Sequence, residues 1–541
     1  MENESKNFIE NIIDADIESG NKTVVTRFPP ENNAKTLHLG HAKSIHLNYG
    51  IANKYNGVCN FRIDDTNPTN EKEEYITGLK EDLKWLGFPT YTTFRASDYF
   101  YNMKLYAIML IERGLAYVCD LSSSEIAEYR GSITTNGIES PHRNRTIEEN
   151  SDLFFDMSKG KYEEGEKSLR LKIDMTSPNV HLRDPIIYRI KNVDGANEVY
   201  PMYDFAHCIS DSIEGITHSL CTLEFEVHRP LYEWILNNLN VHVPKQIEFA
   251  RFNLGYTIMS KRKLSELVDN NLVSGWDDPR MPTISGLRRR GYTPSSIKSF
   301  MELVGISKRD NIIDTDLLEF SIRNELNKTA DRRFAVLDPI KLVIDNYPDT
   351  IEKTKATNNP ENEERGKRDM VFSKELWIER DDFREEANRK YNRLVPGRFV
   401  RLKYGYIVEC TGCVKDDDGN IIEVHCDYVP ESKSGEDTSG IKPKGTIHWI
   451  STSNAIDVEF RLYDRLFNVE DPSSLEDFKD GINHDSLVVK HGKTEYMMRN
   501  YPYMMEEKYQ FERTGYFCFD SDSTSKNIVM NRIVGLKSSW K

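Results

Sequence analysis

The chain has 541 residues, a formal net charge of −15 at pH 7, and 38% hydrophobic and 29% charged residues. This balance is typical of a globular protein and excludes a disordered one, and the length predicts about three to five domains. No apolar run approaches the roughly 18 residues of a membrane-spanning helix, so a membrane-spanning protein is excluded. The eight cysteines are spread along the chain, which indicates a reducing cytosol rather than a disulfide framework.

Charge is distributed unevenly along the chain. The first 20 residues contain six acidic residues and one lysine, the opposite of a signal or transit peptide. The negative net charge argues weakly against a nucleic-acid-binding protein, but such binding depends on local basic patches rather than on the net charge. Residues 276–309 and 384–403 each contain seven Lys and Arg residues. Taken alone, either stretch is as consistent with an ordinary solvated surface as with a surface that binds nucleic acid.

The first third of the chain predicts an α/β fold. Residues 23–28 form a short β-branched strand, and a helix with apolar positions at helical spacing follows from His41. Residues 58–63 form a second strand, and residues 71–86 form an amphipathic helix. Because strand, crossover helix and strand is the unit of a parallel, doubly wound sheet, we predict such a sheet here.

The remaining chain predicts helices first and strands afterwards. Helical segments recur between residues 260 and 326, and short β-branched and aromatic runs then alternate with Gly, Asp and Asn turns. Residues 415–420 (KDDDGN) predict a hairpin, and residues 353–369, which are almost without apolar side chains, predict an exposed loop. This pattern favours antiparallel β-barrels or sandwiches. The clearest runs are residues 399–406, 421–428 and 446–450.

Two short segments have the chemistry of a nucleotide site. Residues 38–41 (HLGH) lie at the predicted turn from the first strand into its helix, where free N–H groups and the helix dipole favour phosphate. Residues 259–263 (MSKRK) offer a hydroxyl and a flexible ammonium, which suit a migrating phosphate group. Taken alone, the first segment is more often a plain helix start and the second a basic surface loop.

Together, the two segments resemble the HIGH and KMSKS signatures of class I aminoacyl-tRNA synthetases. The chain is also similar to the glutaminyl and glutamyl branch of that family over roughly residues 21–541, and so many matches in order exclude coincidence. The matching segments are TRFPPE (26–31), HLGHAKS (38–44), RIDDTNP (62–68), YDFAHCISD (203–211), EGITHSLCTLEF (214–225), MSKRKL (259–264), GWDDPRMPTISGLRRRGYT (275–293), DPIKLVIDNY (338–347), DFREEANRKYNRLV (382–395) and FERTGYFCFD (511–520).

The resemblance implies a multidomain α/β and β architecture. Its parts are a Rossmann-type catalytic core with an inserted acceptor-end domain, a helical subdomain and two C-terminal antiparallel β-barrels. The expected division is an acidic N-terminal extension (1–20), the first half of the core (21–95), the inserted acceptor-stem-binding domain (96–202), the second half of the core (203–259), the MSKRK loop and helical subdomain (260–330), and two anticodon-binding β-barrels (331–541).

Three places resemble the glutaminyl members more than the glutamyl ones. His207-Cys208 stands where glutamyl relatives tend to have Cys-Pro, residues 220–223 (LCTL) lack the relatives' arginine, and the C-terminal NRIVGLKSSW resembles the glutaminyl double barrel. Taken alone, Tyr203 and His207 are more often structural residues. By resemblance, Asp64 holds the α-ammonium of glutamine and the other positions shape its side-chain pocket. The expected glutamine-binding residues are Arg27, Asp64, Tyr203, His207 and Gln246.

The resemblance further implies that the chain uses ATP, supplied with Mg²⁺. Catalysis would rest on positioning and charge stabilisation, with no covalent intermediate on a side chain. His38, His41 and Lys261 are the expected catalytic residues, because they would serve the phosphates. The expected ATP-binding set is Glu31, His38, Gly40, His41, Arg251, Met259, Ser260 and Lys261.

The predicted barrels contain the basic residues 384–403, whose Arg and Lys side chains suit the recognition of single-stranded bases. By resemblance, the anticodon-contact positions are Arg332, Lys390, Arg393, Arg401, Lys403, Gln510 and Arg513. The expected partners are tRNA(Gln), L-glutamine and ATP, with no membrane partner. We expect a cytoplasmic monomer.

Three alternatives stay open from sequence. One is ligation of glutamate by a glutamyl member of the same branch, and another is a non-catalytic tRNA-binding paralogue, which the intact HLGH and MSKRK argue against. The third concerns Cys410 and Cys413, which with His425 and Cys426 suggest structural zinc. Because no second CxxC follows at ribbon spacing, we expect no metal in this chain.

Overall fold

The structure is a computed structural model, and it describes residues 6–20, 23–30, 36–67, 73–88, 92–499 and 506–537. The chain divides into two compact units. The first comprises Met1–Asn253 and Val304–Ile312, and the second comprises Leu254–Leu303 and Ile313–Lys541. Over the described ranges, no helix is long and apolar enough to cross a membrane.

The first unit begins with a helix and three parallel strands. Its first elements are α1 (Phe8–Glu18), β1 (Val25–Phe28), α2 (Leu39–Lys54), β2 (Val58–Ile63), α3 (Glu73–Trp85) and β3 (Thr93–Arg95). β1 pairs in parallel with β2, with Val25 opposite Val58, and β2 pairs in parallel with β3. The predicted strands and helices are confirmed, and the parallel pairing follows because a helix crosses over between successive strands.

The acidic N-terminal segment contains α1, which packs into the first unit. Ile9 and Ile13 are fully buried and belong to a cluster with residues of α2 and later strands. Asn7 and Glu10 form a capping box at the start of the helix, and Lys54 donates to Glu10 Oε1 at 2.8 Å. The apolar face of α1 therefore packs against the rest of the first unit. The acidic composition of the segment did not predict this face.

An antiparallel sheet follows in the chain. Its elements are α4 (Phe100–Glu112), β4 (Ala116–Cys119), α5 (Ser123–Arg130), α6 (Ile147–Ser158), β5 (Ser168–Leu171), β6 (Ile186–Val193) and β7 (Ala196–Pro201). The strand order is β4-β5-β6-β7, and each strand is antiparallel to the next. Met103 of α4 and Phe154 of α6 share one buried cluster with Leu169 and Ile187, so these helices cover the sheet.

A second parallel pair completes the first unit. The elements are α7 (Tyr203–Ile213), β8 (His218–Thr222), α8 (Arg229–Leu239), β9 (Lys245–Phe249) and β10 (Phe252–Leu254). β8 pairs in parallel with β9, with Ser219 opposite Gln246. The Thr217 N–H donates to Val25 O at 2.9 Å, which places β8 beside β1. The carboxyl ends of β1, β2 and β8 therefore lie at one edge, where parallel sheets place their ligand sites.

The second unit begins with the predicted helical region, which is confirmed. Its helices are α9 (Lys261–Asp269), α10 (Ile284–Arg290), α11 (Pro294–Val304) and α12 (Thr315–Thr329). The short strand β11 (Asn311–Ile313), which lies mostly within the first unit, precedes α12 in the chain. Leu264 and Leu267 are three residues apart on α9, so they share one face. Both pack against Phe467 and Phe478 from the later part of the chain.

The C-terminal region forms two seven-stranded sheets and a separate pair of strands. Its strands are β12 (Asp331–Arg333), β13 (Ala335–Val336), β14 (Pro339–Ile344), β15 (Glu352–Thr357), β16 (Lys367–Phe372), β17 (Glu375–Glu379), β18 (Phe399–Leu402), β19 (Ile407–Lys415), β20 (Ile421–Tyr428), β21 (Thr446–Ile447), β22 (Ile450–Ser451), β23 (Ala455–Tyr463), β24 (Leu487–Glu495), β25 (Lys508–Phe511), β26 (Gly515–Phe519) and β27 (Val529–Val534). One sheet has the order β21-β18-β19-β20-β14-β17-β22, and the other has the order β12-β25-β26-β27-β23-β24-β13. The separate pair is β15 and β16.

Both sheets curl back on themselves. In the second sheet the two end strands, β12 and β13, are separated in sequence only by Phe334. In the first sheet the end strands β21 and β22 are separated only by His448 and Trp449. A sheet whose first and last strands are joined by one or two residues must bend until its edges meet. The two sheets therefore fit the two predicted β-barrels, and Trp449 is fully buried in the first.

The predicted strands of this region are confirmed with shorter bounds. β19 and β20 flank the predicted turn at residues 416–420 and pair antiparallel, so the hairpin is confirmed. The run at residues 399–406 is a strand only as far as Leu402, because Tyr404 has a φ of +62° and turns the chain. The run at residues 446–450 is divided between β21 and β22.

The prediction of an exposed loop at residues 353–369 is wrong at both ends of the segment and holds for residues 358–366 between them, most of which are exposed. β15 and β16 occupy residues 353–357 and 367–369 of this segment and pair antiparallel, with Thr354 opposite Met370. Thr354 and Ala356 are buried, while Lys355 between them is exposed. The segment therefore has the period of two of a half-buried strand. The low count of apolar residues concealed this period, because small and polar side chains occupy the buried face.

Candidate active site

A buried group of charges lies near the carboxyl edge of the parallel strands in the first unit. Arg27 of β1 and Arg62 of β2 are each 2% exposed. Asp211 of α7 is fully buried and accepts from Arg62 Nη2 at 2.7 Å and from Arg27 Nε at 3.3 Å. Glu214 accepts from Arg62 Nη1 at 3.2 Å. Each guanidinium is thereby paired with a carboxylate, and the pairs connect β1, β2 and α7.

Arg27 is also held by neutral groups of β8. Its Nη1 donates to Leu220 O at 2.8 Å, and its Nη2 donates to Ser219 Oγ at 2.8 Å and to Cys221 Sγ at 3.2 Å. Burial alone would lower the pKa of Arg27, but the Asp211 carboxylate raises it well above its ordinary value. Arg27 therefore stays charged, with that charge compensated inside the protein.

His207 lies between the two arginines. Its Nε2 is 3.2 Å from Arg27 Nη2, and its Nδ1 is 3.4 Å from Arg62 Nη2. Burial, reinforced by both guanidinium charges, lowers the pKa of His207 to about 3. The imidazole is therefore neutral at neutral pH. Tyr203, one turn earlier on α7, stacks on it with ring centroids 5.2 Å apart and planes at 10°.

The other predicted glutamine-binding residues lie beside this group. Asp64 directly follows β2. It lies close enough to Tyr203 to act on its hydroxyl: burial, together with the neighbouring Cys221 and Asp64, raises the pKa of Tyr203 well above its ordinary value. Gln246 donates to Phe225 O at 3.1 Å, and the Phe225 ring lies 5.6 Å from that of Tyr203. The structure thus gathers all five predicted residues, with Gln246 linked to the others through Phe225.

Residues 38–41 form the start of α2, as the sequence predicts. His38 is the N-cap, and its Nδ1 accepts from the N–H groups of Gly40 at 3.1 Å and His41 at 3.4 Å. In return, the His38 N–H donates to His41 Nδ1 at 3.1 Å. Because both Nδ1 atoms accept, the neutral form of each imidazole carries its proton on Nε2. This reciprocal cap therefore makes each Nε2 a donor.

Gly40 leaves room for this arrangement. The two imidazoles stack with centroids 3.8 Å apart. A Cβ at position 40 would lie 2.9 Å from His38 Cε1, so any larger residue would displace the cap. The local sequence therefore fixes the position and the tautomer of both histidines.

The remaining predicted ATP-binding residues belong to both units. Lys261 is the first residue of α9 in the second unit, directly after Met259 and the N-cap Ser260. Arg251 belongs to the first unit, has an exposed side chain, and donates its N–H to Asp310 Oδ1 at 2.9 Å. The prediction for Glu31 lies outside the described residues.

Two predicted anticodon residues share one buried carboxylate in the second unit. Arg513 donates from Nη1 and Nη2 to the two oxygens of Asp382, at 2.7 and 2.6 Å. Arg393 Nη1 lies 3.0 Å from Asp382 Oδ1. Asp382 is fully buried, while the Arg393 side chain is 41% exposed. The carboxylate therefore orients one bidentate and one more exposed arginine at the same place.

Arg401 and Lys403 of the same basic stretch also have carboxylate partners. Arg401 donates from Nη1 to Ser432 O at 2.8 Å and from Nη2 to Asp437. Lys403 donates to Glu512, the residue before Arg513. Both side chains remain partly exposed, at 21% and 36%, so internal pairing orients them without burying them.

The last three predicted anticodon residues differ in exposure. Lys390 is exposed, and Gln510 is half-buried in β25, opposite Arg332 of β12. Arg332 is only 5% exposed and donates to the backbone oxygens of Ala330 and Asn327, each at 2.9 Å. The described contacts of Arg332 are therefore with the backbone at the end of α12. An RNA contact for this residue stays a prediction.

Three family models match the chain. The model described as the catalytic domain of "tRNA synthetases class I (E and Q)" matches residues 23–328. Two models described as anti-codon binding domains of the same family match residues 330–429 and 446–520. The chain belongs to the class I (E and Q) tRNA synthetases. The β15 and β16 strands that the sequence prediction missed lie inside the first anticodon-binding match.

Relatives within this family match nearly the whole chain. It is 54% identical to the glutamine–tRNA ligase of Rhodopirellula baltica, over 99% of this chain and 90% of that protein. It is 52% identical to the glutamine–tRNA ligase of Escherichia coli O157:H7, over 99% of this chain and 98% of that protein. A solved glutamate tRNA ligase from Elizabethkingia meningosepticum matches 56% of this chain and 70% of its own, with 17% identity and a TM-score of 0.44.

The sequence prediction missed the residues that hold the predicted glutamine-binding residues of this class I synthetase in place. Arg62, Asp211 and Ser219 all stand in segments that carry the family resemblance, but no role followed from those segments alone. One signal was available for Asp211, because His207 and Asp211 are four residues apart on a helix and so share a face. The partners of the anticodon arginines carried no such signal, since Asp382 and Arg513 are joined only by the fold.

The cysteines of this synthetase do not gather around one point. Cys410 and Cys426 are opposite each other in β19 and β20, while Cys413 is opposite Val424 after a register shift. All eight cysteines are free thiols. That the cysteines bind no metal stays a prediction.

Proposed function

We propose that the chain activates L-glutamine with ATP to glutaminyl-adenylate and transfers the glutaminyl group to the 3′ end of tRNA(Gln). The observation that carries this proposal is the internal neutralisation of Arg27 and Arg62 by Asp211 and Glu214. The near full-length similarity to two glutamine–tRNA ligases supports it.

The charge balance of the pocket favours an amide over a carboxylate. An arginine without a carboxylate partner would attract the side chain of glutamate, but both buried arginines are already paired. His207, with a pKa of about 3, adds no positive charge. The Tyr203 hydroxyl can accept from, or donate to, a neutral amide. Because desolvating a carboxylate without a cationic partner is costly, glutamate is disfavoured.

In the first step, an oxygen of the glutamine α-carboxylate attacks the α-phosphorus of ATP, and pyrophosphate leaves. ATP enters as its magnesium complex. His38 and His41 would donate through Nε2 to phosphate oxygens, because their reciprocal cap reserves both Nδ1 atoms. Lys261 would stabilise the negative charge that develops on the leaving pyrophosphate. Asp64 would pair with the α-ammonium of glutamine.

In the second step, a hydroxyl of the terminal ribose of the tRNA attacks the carbonyl carbon, and AMP leaves. The two anticodon-binding matches support a role for the C-terminal sheets in RNA recognition. We assign anticodon contacts to Arg332, Lys390, Arg393, Arg401, Lys403, Gln510 and Arg513. The Rossmann-type core with its inserted acceptor-end domain, the domain boundaries given above, a monomeric state and a cytoplasmic location complete the proposal.

The test is charging of tRNA(Gln) and tRNA(Glu) transcripts with labelled glutamine and labelled glutamate. We expect glutamine on tRNA(Gln) to be favoured over glutamate by about 10⁴-fold in kcat/KM, as in sites whose buried polar groups match one substrate. Equal or faster charging with glutamate would contradict the proposal and favour the glutamyl alternative.

A matched variant separates catalysis from binding. Lys261→Ala should slow pyrophosphate exchange by about 10²–10³-fold, which is typical for the loss of one charge-stabilising group, and leave tRNA affinity nearly unchanged. Lys263→Ala, two residues later in the same helix, is the control and should retain activity.

Wild-type protein that binds tRNA without any pyrophosphate exchange would support the non-catalytic alternative.

A further inference from the structure

Two histidines and an aspartate meet on the first unit, outside the residues assigned above. His181 lies in a 3₁₀ turn at Val180–Leu182, Asp204 is the second residue of α7, and His228 directly precedes α8. One ligand atom from each of the three lies within 4.8 Å of the other two. His228 Nδ1 and Asp204 Oδ1 are 2.8 Å apart, and the two imidazole centroids are 3.9 Å apart.

The backbone holds this His–Asp–His cluster together. The Asn179 side chain accepts from the His181 N–H at 3.0 Å and donates to Val227 O at 2.7 Å. One side chain therefore ties the turn that carries His181 to the residue before His228. All three members of the cluster are half-buried, so solvent and small ions can reach them.

The protonation states suit ligation. Burial and the neighbouring His228 lower the pKa of His181, so its imidazole offers a lone pair at neutral pH. The hydrogen bond that His228 donates to the Asp204 carboxylate raises the pKa of His228, and a bound cation would take the place of the proton between them. Asp204 supplies the negative charge that two neutral imidazoles lack.

We propose, against the expectation from sequence that the chain holds no metal, that His181, Asp204 and His228 bind one divalent transition-metal ion of the zinc type. Two imidazole nitrogens and one carboxylate oxygen suit Zn²⁺, and not Mg²⁺ or Ca²⁺, which prefer oxygen ligands. Tetrahedral Zn²⁺ with bonds of about 2.0–2.1 Å places its ligands about 3.3 Å apart, so small side-chain rotations close the cluster around the ion. Three protein ligands leave a fourth position for water.

The site has a defined place in the fold. His181 belongs to the segment predicted as the inserted domain, and Asp204 and His228 belong to the predicted second half of the core. A bound ion would therefore tie these two segments together within the first unit. A failure of the metal proposal would leave the glutamine proposal standing, because none of the three residues is assigned to the catalytic or binding machinery.

The experiment measures metal binding by the full-length, tag-free chain that has been treated with chelator and dialysed. Titration with Zn²⁺, and with Co²⁺ as a spectroscopic probe, should give one ion per chain and the visible absorption of Co²⁺ with nitrogen ligands. His181→Ala and His228→Ala should each weaken binding at least about tenfold. Zn²⁺ should raise the thermal midpoint of the wild type and not that of the variants.

Two control variants test the assignment. His484→Ala removes an exposed histidine of the second unit, and Cys413→Ser removes a half-buried thiol; both should bind Zn²⁺ as the wild type does. Circular dichroism and tRNA charging establish that each variant is folded. No stoichiometric binding at about 100 μM metal, or binding that survives both histidine substitutions at the cluster, would overturn the proposal.

Discussion

At the scale of single residues, Asp211 has the largest electrostatic role in the predicted pocket. It accepts from both Arg27 and Arg62 and is fully buried. Asp211→Asn keeps the shape but leaves two buried guanidinium groups with only Glu214 as a counter-charge. Breaking a buried pair in this way costs about 3–5 kcal/mol, so we expect a markedly lower thermal midpoint by calorimetry and a loss of glutamine activation.

The matched control for this prediction is Asp437→Asn. Asp437 also pairs with an arginine, Arg401, but its side chain is 26% exposed, and exposed pairs contribute about 0–1 kcal/mol. A midpoint that is the same for both variants would show that the buried charge group does not stabilise the first unit.

His207 makes the stability of the first unit depend on pH. Its pKa is lowered from 6.5 to about 3 in the folded chain, so between these pH values the unfolded chain binds a proton that the folded chain does not. The free energy of unfolding therefore falls on acidification, by up to about 1.4 kcal/mol per pH unit. His207→Gln should flatten this part of the profile of thermal midpoint against pH between 6.5 and 4.5, whereas His484→Gln should leave it unchanged.

At the scale of elements, the start of α2 combines a structural cap with a chemical role. Gly40→Ala would place a Cβ 2.9 Å from His38 Cε1, which displaces the imidazole and breaks the reciprocal cap. We expect pyrophosphate exchange to fall at least tenfold, because both predicted phosphate donors move, while the helix itself remains.

Gly50→Ala provides a control on the same helix. Nothing lies within 4 Å of a Cβ at Gly50, and Gly50 is exposed. Alanine should therefore stabilise α2 by about 0.5–1 kcal/mol with no effect on exchange. If the two variants had the same exchange rate, the role of the HLGH cap in catalysis would be disproved.

Comparison of these elements shows what sequence can predict. α3 follows from periodicity, because Ile76, Leu79 and Leu83 form one buried face, and the helix start at His38 follows from its motif. β15 and β16 escape prediction because their buried positions hold Thr354, Ala356 and Arg368, which do not count as a hydrophobic pattern. Likewise, the pairing of Asp382 with Arg513 joins residues 131 positions apart, and nothing local in the chain encodes it.

At the scale of the whole molecule, the chain has a net charge of −15, yet the second unit contains basic side chains that carboxylates hold in fixed orientations. Carboxylates from separate segments, Asp382, Asp437 and Glu512, hold Arg393, Arg513, Arg401 and Lys403 in place. Because each of these basic side chains is paired with a carboxylate of the same chain, its general attraction to the RNA backbone is reduced. The same pairing orients the side chain. This arrangement favours the recognition of particular bases over the binding of any polyanion.

Arg393→Ala tests this idea with little risk to folding, because Asp382 keeps its bidentate bond from Arg513. If Arg393 contacts an anticodon base, the variant should lose about 1–3 kcal/mol of discrimination between cognate and anticodon-altered tRNA, with the loss mainly on the cognate. Arg389→Ala, an exposed arginine of the same stretch, should weaken both RNAs equally and reduce the salt dependence. The measurement is kcat/KM for charging of matched transcripts at several salt concentrations. Equal losses on both transcripts for Arg393→Ala would assign this arginine to the phosphate backbone, because a phosphate contact does not distinguish one anticodon from another.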